Sequence, residues 1–286
     1  MVEPTPKQLQ EMKSCELNIL KAFLEVCDRL SLRYYLLGGT LLGAVRHQGF
    51  IPWDDDIDVG MPREDYEIFL RDGQKYLPEY YFLQSLHSEP DYHLNFAKIR
   101  DSRTTFVEYS VRRRKINHGI FIDIFPLDIY PAEEKARAAM DRHQQQFKYR
   151  LRAEVEIPEM SRHGAVAEMG LKVLSGLTKL RYPNYRKALE RREILQSTAS
   201  GGDCWANYCG AWGKKEIVPA CWYGQGRELT FEGLTVTGPE HYEKWLTQVY
   251  GDYMQLPPEE KRVGHHYAEI IDLDMPYTHY MENNLI

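Results

Sequence analysis

The sequence predicts an α+β fold, with strands and helices mixed over residues 1–130 and mostly helix over 131–286. Three observations carry this. Apolar residues recur at helical spacing near the start, and short apolar runs bounded by Gly and Pro follow. Beyond Tyr130 the chain turns rich in Ala, Glu, Lys, Arg and Leu.

Leu9, Met12, Leu20, Phe23, Leu24, Cys27 and Leu30 repeat among charges and predict an amphipathic helix over 7–30 with one buried face. Tyr34 to Leu37 is an apolar run ending on Gly38-Gly39, a buried strand entering a tight turn. Thr40 to Arg46 predicts a short helix just after it. Ile57 to Met61 reads as the next strand, and Pro62 suits the first turn of a helix reaching about Tyr76. Further strands are expected at Tyr80–Gln84, Leu94–Arg100 and Ile120–Phe125, the last closed by Pro126. Residues 132–155 and 164–198 predict helices. The stretch 203–236 is mixed and aromatic, 239–250 predicts another helix, and the tail from Gly251 reads as irregular.

A composition of 43% hydrophobic and 27% charged residues is that of a globular protein. The net charge of −6 argues against a nucleic-acid binder. Arg112, Arg113, Arg114 and Lys115 form a basic run, either a solvated loop or a contact for an anionic polymer or membrane surface. No stretch approaches the roughly 18–20 apolar residues of a membrane span, and the N-terminus lacks signal-peptide order. The five cysteines, an odd number, fit reduced thiols and a cytoplasmic chain. Cys204, Cys209 and Cys221 lack the second close pair of a typical zinc site.

Asp56-Ile57-Asp58 is the most informative tripeptide. In a strand, residues two apart share a face, so both carboxylates would converge while Ile57 enters the core. Converging acidic oxygens suit a hard cation such as Mg²⁺. Asp123 interrupts the apolar run Phe121–Phe125, where an uncompensated charge would be costly and a cation would offset it. Gly38, Gly39 and Thr40 stand where backbone N–H groups and a helix N-terminus could cradle phosphate. Alone, a D-x-D is commonly structural, and Asp54-Asp55 make the run acidic enough for a solvated loop. Glycine pair, D-x-D strand and later strand Asp together have the layout of a nucleotidyltransferase-like core sheet with flanking helices.

The run from Leu37 through Asp56 and Asp58 to Tyr66 resembles the signature of the LicD family of phosphocholine transferases. Lys98–Thr104, Gly119–Asp128 and Tyr250–Arg262 resemble it too. The resemblance implies a metal pair at Asp56 and Asp58, with Asp123 as third acidic residue, and a phosphate-side turn at Gly38, Gly39 and Thr40. It implies Mg²⁺ (or Mn²⁺), and transfer of phosphocholine from CDP-choline, or a related group from a CDP- or CMP-linked donor. The implied acceptor is a hydroxyl of a bacterial cell-surface glycan, such as a lipid-linked precursor of teichoic acid or lipopolysaccharide, with CMP released. The broad family extends to fukutin-related enzymes that use CDP-ribitol.

On this reading residues 1–130 form the catalytic core and 131–286 complete the active site, at the inner face of the membrane. Lys98 and Arg100 alternate on one strand face as donors to a diphosphate, or as an exposed face. Arg46 is a phosphate contact or orients Asp54; His265 is a substrate contact, since adjacent His265 and His266 diverge too far to share one ion. Trp53 and the aromatics of 205–223 could wall a quaternary ammonium, although core packing is the commoner use. Two rivals stand beside it: a true nucleotidyltransferase releasing pyrophosphate, and a non-catalytic nucleotide- or glycan-binding protein.

Overall fold

Thr5 opens helix α1 (Pro6–Leu30) with a reciprocal cap: its hydroxyl accepts from the Gln8 N–H while the Gln8 side chain accepts from the Thr5 N–H. The structure, a computed structural model, describes residues 2–157, 164–262, 264 and 267–286. The buried stripe of α1 contains Met12, Ile19, Leu20, Phe23 and Val26, and also Lys13 and Glu16. It lies on strands β4 (Ala97–Asp101) and β6 (Ile120–Tyr130).

Among the described residues the main sheet is seven-stranded and mixed. Its path runs β1 (Tyr35–Leu36), β2 (Asp58–Pro62), β6, β4, β3 (Tyr81–Gln84). Only β2 and β6 pair in parallel, and the chain between them supplies the crossover. Helix α2 (Gly38–His47) bridges β1 and β2, and α3 (Arg63–Asp72) follows β2 directly. The fold is α+β, as the sequence predicts.

Several elements depart from expectation. Strand β6 continues through Pro126 to Tyr130. The Asp123 N–H donates to Ile57 O, so by alternation the N–H of even positions faces β4. That strand has ended opposite Ile124, so Pro126 interrupts no hydrogen bond. Pro62 is the last residue of β2 and the N-cap of α3, one place earlier than expected. β5 (Thr105–Glu108) was not foreseen, because its partner β11 (Ala268–Asp272) lies far along the chain, in the tail expected to be irregular.

Helices α4 (Glu134–Arg152), α5 (Ala165–Arg181) and α6 (Tyr185–Ser197) follow, the last two separated at Pro183. The aromatic stretch resolves into β7 (Cys204–Ala206), β8 (Ile217–Pro219) and the hairpin β9 (Arg227–Phe231)–β10 (Leu234–Gly238). Strand β7 pairs with the end of β6, so the main sheet draws on both sides of residue 130. Helices α7 (Tyr242–Tyr250) and α8 (Tyr277–Glu282) complete the order.

Among the described residues no helix is long and apolar enough to cross a membrane. The basic run is tied down: Arg112 and Arg113 pair with Glu156, and Arg114 with Glu154. All five cysteines are free.

Candidate active site

The parallel register sets Asp58 of β2 directly opposite Asp123 of β6, and the antiparallel register sets Lys98 of β4 on the other side of Asp123. Residues paired this way share a face of the sheet, so the three form a row of carboxylate, carboxylate and ammonium. Lys98 Nζ lies 3.0 Å from Asp123 Oδ1 and 3.7 Å from Glu108, above the face of Phe121. The buried Lys98 ammonium thus pairs with Asp123 and shares Glu108 with Arg100. Burial, then Asp56, then Asp123, hold the Asp58 carboxyl well above the usual carboxylate range. A group so shifted is one that a cation would restore to its charged form.

Helix α2 begins at Gly38 itself, not after the glycines, and its first turn meets this row. Gly38 has φ +53°, and a Cβ there would lie 2.7 Å from Asp58 Oδ2; one on Gly39 would lie 2.3 Å from Asp54 Oδ2. The glycines let the positive end of the helix approach two carboxylates. The Thr40 hydroxyl accepts from the Asp58 N–H at 2.8 Å, fixing the start of β2. All three therefore meet Asp54 or Asp58.

Asp56 lies outside the strand, in the loop before β2, so the shared-face argument for Asp56 and Asp58 does not describe its backbone. Asp54, Asp55 and Asp56 instead bring carboxylate oxygens within 4.8 Å of one another. This all-oxygen set, beside Asp58 and Asp123, fits a hard divalent cation, with Asp56 common to both groupings.

Other predicted residues fall differently. Arg100 is fully buried and bonded on all three nitrogens, to Gln84, the Gly119 carbonyl and Glu108. In this arrangement Arg100 braces Glu108. Arg46 lies at the far end of α2 from the glycines, and donates to the Tyr253 carbonyl and to His47. His265 lies outside the described residues, while its neighbour Gly264 comes within a Cβ's reach of Asp55. Trp53 faces Arg262, 5.4 Å from its ring centroid, and like Trp205 packs against the core, while Tyr223 lies within it.

Four residues were missed. Glu16 sits buried on α1 with its carboxyl pushed well up by burial, then by Asp56 and Asp55. Lys13 donates to the carbonyls of Ile51 and Pro52, pinning the loop that leads into the aspartates. Their signal was a charge standing in the apolar stripe Met12, Glu16, Ile19, Phe23. Tyr250 lies near Asp58 and Asp54, and Glu216, pushed up to about 7 by burial, lies near Asp58. Tyr250 opens a segment that resembles the family signature, whereas no local pattern marks Glu216.

An α+β protein with a row of buried charges on its main sheet is what the fold gives; its family comes from likeness to known proteins. The LicD/FKTN/FKRP nucleotidyltransferase-domain model matches residues 31–164. The lipopolysaccharide cholinephosphotransferase LicD of Haemophilus influenzae is 32% identical over 265 residues, 91% of this chain and 97% of that protein. The human ribitol 5-phosphate transferase FKRP is 40% identical over 72 residues, 23% of this chain and 14% of that protein. The chain belongs to the LicD family and is a LicD-type phosphotransferase.

Proposed function

We propose that this protein moves phosphocholine, or a close phospho-substituent, from a CDP- or CMP-linked donor to a hydroxyl of a cell-surface glycan, releasing CMP. The observation that carries the reading is the Asp58–Asp123 register beneath the N-terminus of α2. We infer a nucleotidyltransferase-like core from the same arrangement and from the description of the matching family model. Likeness to the Haemophilus cholinephosphotransferase over nearly its whole length favours choline. Trp53, whose ring already faces the Arg262 cation, is the aromatic surface we assign to the quaternary ammonium. With five free thiols, residence in the reducing cytoplasm is part of the proposal.

Asp56, Asp58 and Asp123 would hold Mg²⁺ (or Mn²⁺), which supplies charge neutralisation on the donor's diphosphate when bound. The first turn of α2 orients the phosphate oxygens through its N–H groups. The acceptor oxygen bonds to the distal phosphorus, the bond from that phosphorus to the bridging oxygen breaks, and CMP leaves with that oxygen. Asp123 is the carboxylate nearest the acceptor hydroxyl in this reading, taking its proton or serving as ligand. Lys98, 3.0 Å from Asp123 Oδ1, holds that carboxylate in place.

CDP-choline labelled separately in choline and cytidine tests this. Choline label should reach the glycan while cytidine label appears as free CMP, and a chelator should stop both. Cytidine label bonded to the acceptor, with choline phosphate released, would overturn the assignment in favour of nucleotidyl transfer.

A further inference from the structure

Helix α5 is built inside out. Ser175 and Thr178 are its buried residues on the side facing the protein, whereas Val166, Met169, Val173, Leu177 and Leu180 stand in solvent. Val166 is 89% exposed and Leu180 81%, which few apolar side chains on a helix are. Their spacing of three, four, four and three residues places them on one stripe along the helix. Ile194 and Leu195 on α6 are exposed as well.

Cations surround the stripe. Lys172, Lys179 and Arg181 flank it on α5, while Glu168, the acidic residue of that helix, is paired with Arg152. Between α4, α5 and α6 opens a cavity of about 540 Å³ lined by Arg142, His143, Arg181 and Arg191, with Glu133 as its acidic member. The guanidinium groups of Arg142 and Arg191 make no ion pair among the described residues, and Arg181 donates only to the Tyr182 hydroxyl. An apolar stripe bordered by unneutralised cations matches a surface that is apolar below and anionic above.

We propose that α5 and the basic cavity beside it dock this protein on the surface of an anionic lipid bilayer. The stripe enters the acyl boundary with the helix lying flat, and Arg142, Arg181 and Arg191 hold lipid phosphates. The helix has 17 residues and is not apolar enough to span, so it lies on the membrane. A second copy of the chain is the poorer occupant, because joining two stripes would bring together two helices bordered by Lys172, Lys179 and Arg181 whose acidic Glu168 is already paired with Arg152. Arg112, Arg113 and Arg114 of the other basic run are spent on Glu154 and Glu156 and do not provide this contact. The surface stands independently of which group the enzyme transfers.

The test is co-sedimentation of the full chain with phosphatidylglycerol-rich and with pure phosphatidylcholine vesicles. Binding should favour the anionic vesicles and weaken with salt. Leu177→Glu with Leu180→Glu, and separately Arg142→Glu with Arg191→Glu, should each lower vesicle affinity by about tenfold or more. All four positions are exposed or line an open cavity, so the thermal midpoint should hold. A Val173→Trp reporter should shift its emission to the blue on anionic vesicles only. Failure of the parent chain to bind anionic vesicles, or equal binding by both double variants, would overturn the proposal. So would a dimer in sedimentation that Leu180→Glu dissociates.

Discussion

Lys98 Nζ sits 3.0 Å from Asp123 Oδ1 across the β4–β6 pair, with Lys98 only 2% exposed. Breaking a buried pair by removing one partner costs about 3–5 kcal/mol, because the remaining charge stays buried. Lys98→Met should therefore destabilise the fold by roughly that amount and reduce transfer at least about a hundredfold. Adding Asp123→Asn should restore part of the stability and none of the activity. Denaturant unfolding of the two single variants and the double one measures the coupling; strict additivity would mean the contact carries no energy.

Arg100→Met should behave differently. Its guanidinium braces Glu108 and the Gly119 carbonyl, so the loss is expected in the thermal midpoint and not in the donor KM of the folded fraction. A raised donor KM at unchanged stability would return Arg100 to the substrate.

Asp58→Asn should leave a folded, inactive protein whose metal response is gone. The parent chain is expected to gain about 2–3 kcal/mol at Mg²⁺ concentrations near a hundred times its Kd. In chelator, Asp58→Asn should match or exceed the parent, since it removes a carboxyl crowded by Asp56 and Asp123. Thermal scans with and without Mg²⁺ read both effects, and an undiminished Mg²⁺ shift in Asp58→Asn would remove it from the ligand set.

Gly39→Ala should cost about 1–3 kcal/mol and most of the activity, because its Cβ would stand 2.3 Å from Asp54 Oδ2. Gly170→Ala in α5, where no atom lies within 4 Å of the added methyl, should stabilise by up to about 1 kcal/mol. Thermal melts of the pair compare a close approach with an open surface.

Glu216 gives a pH signature. Burial lifts its carboxyl to about 7, while Trp212 N–H and Asn207 donate to it and lower it. A carboxyl raised in the folded state adds stability below its unfolded value near 4.5. That contribution falls as pH rises and is lost above about 7. Across that window it amounts to on the order of 3 kcal/mol. In metal-free buffer, Glu216→Gln should flatten the fall in stability between those limits; identical slopes for variant and parent would contradict this.

Elements that depend on neighbours along the chain are legible from the residues alone. The stripe of α1, the strand at 81–84 and the helix ending at Tyr250 follow from local periodicity. The aspartates and glycines were legible because their residue types are costly in such places without a purpose. Tertiary structure decided what those residues meet. Asp58 faces Asp123 only because β2 and β6 pair in parallel, a register set by the sheet and by no motif. Lys98 and Arg100 share a strand face as expected, yet one meets Asp123 and the other is consumed by Gln84, Gly119 and Glu108. Strand β6 outruns Pro126 because its neighbour β4 stops, and β5 exists because β11 returns to it. Glu16 comes near Asp56 through the packing of α1 on the sheet. Periodicity is local, whereas burial and pairing depend on contacts between segments that sequence distance does not reveal.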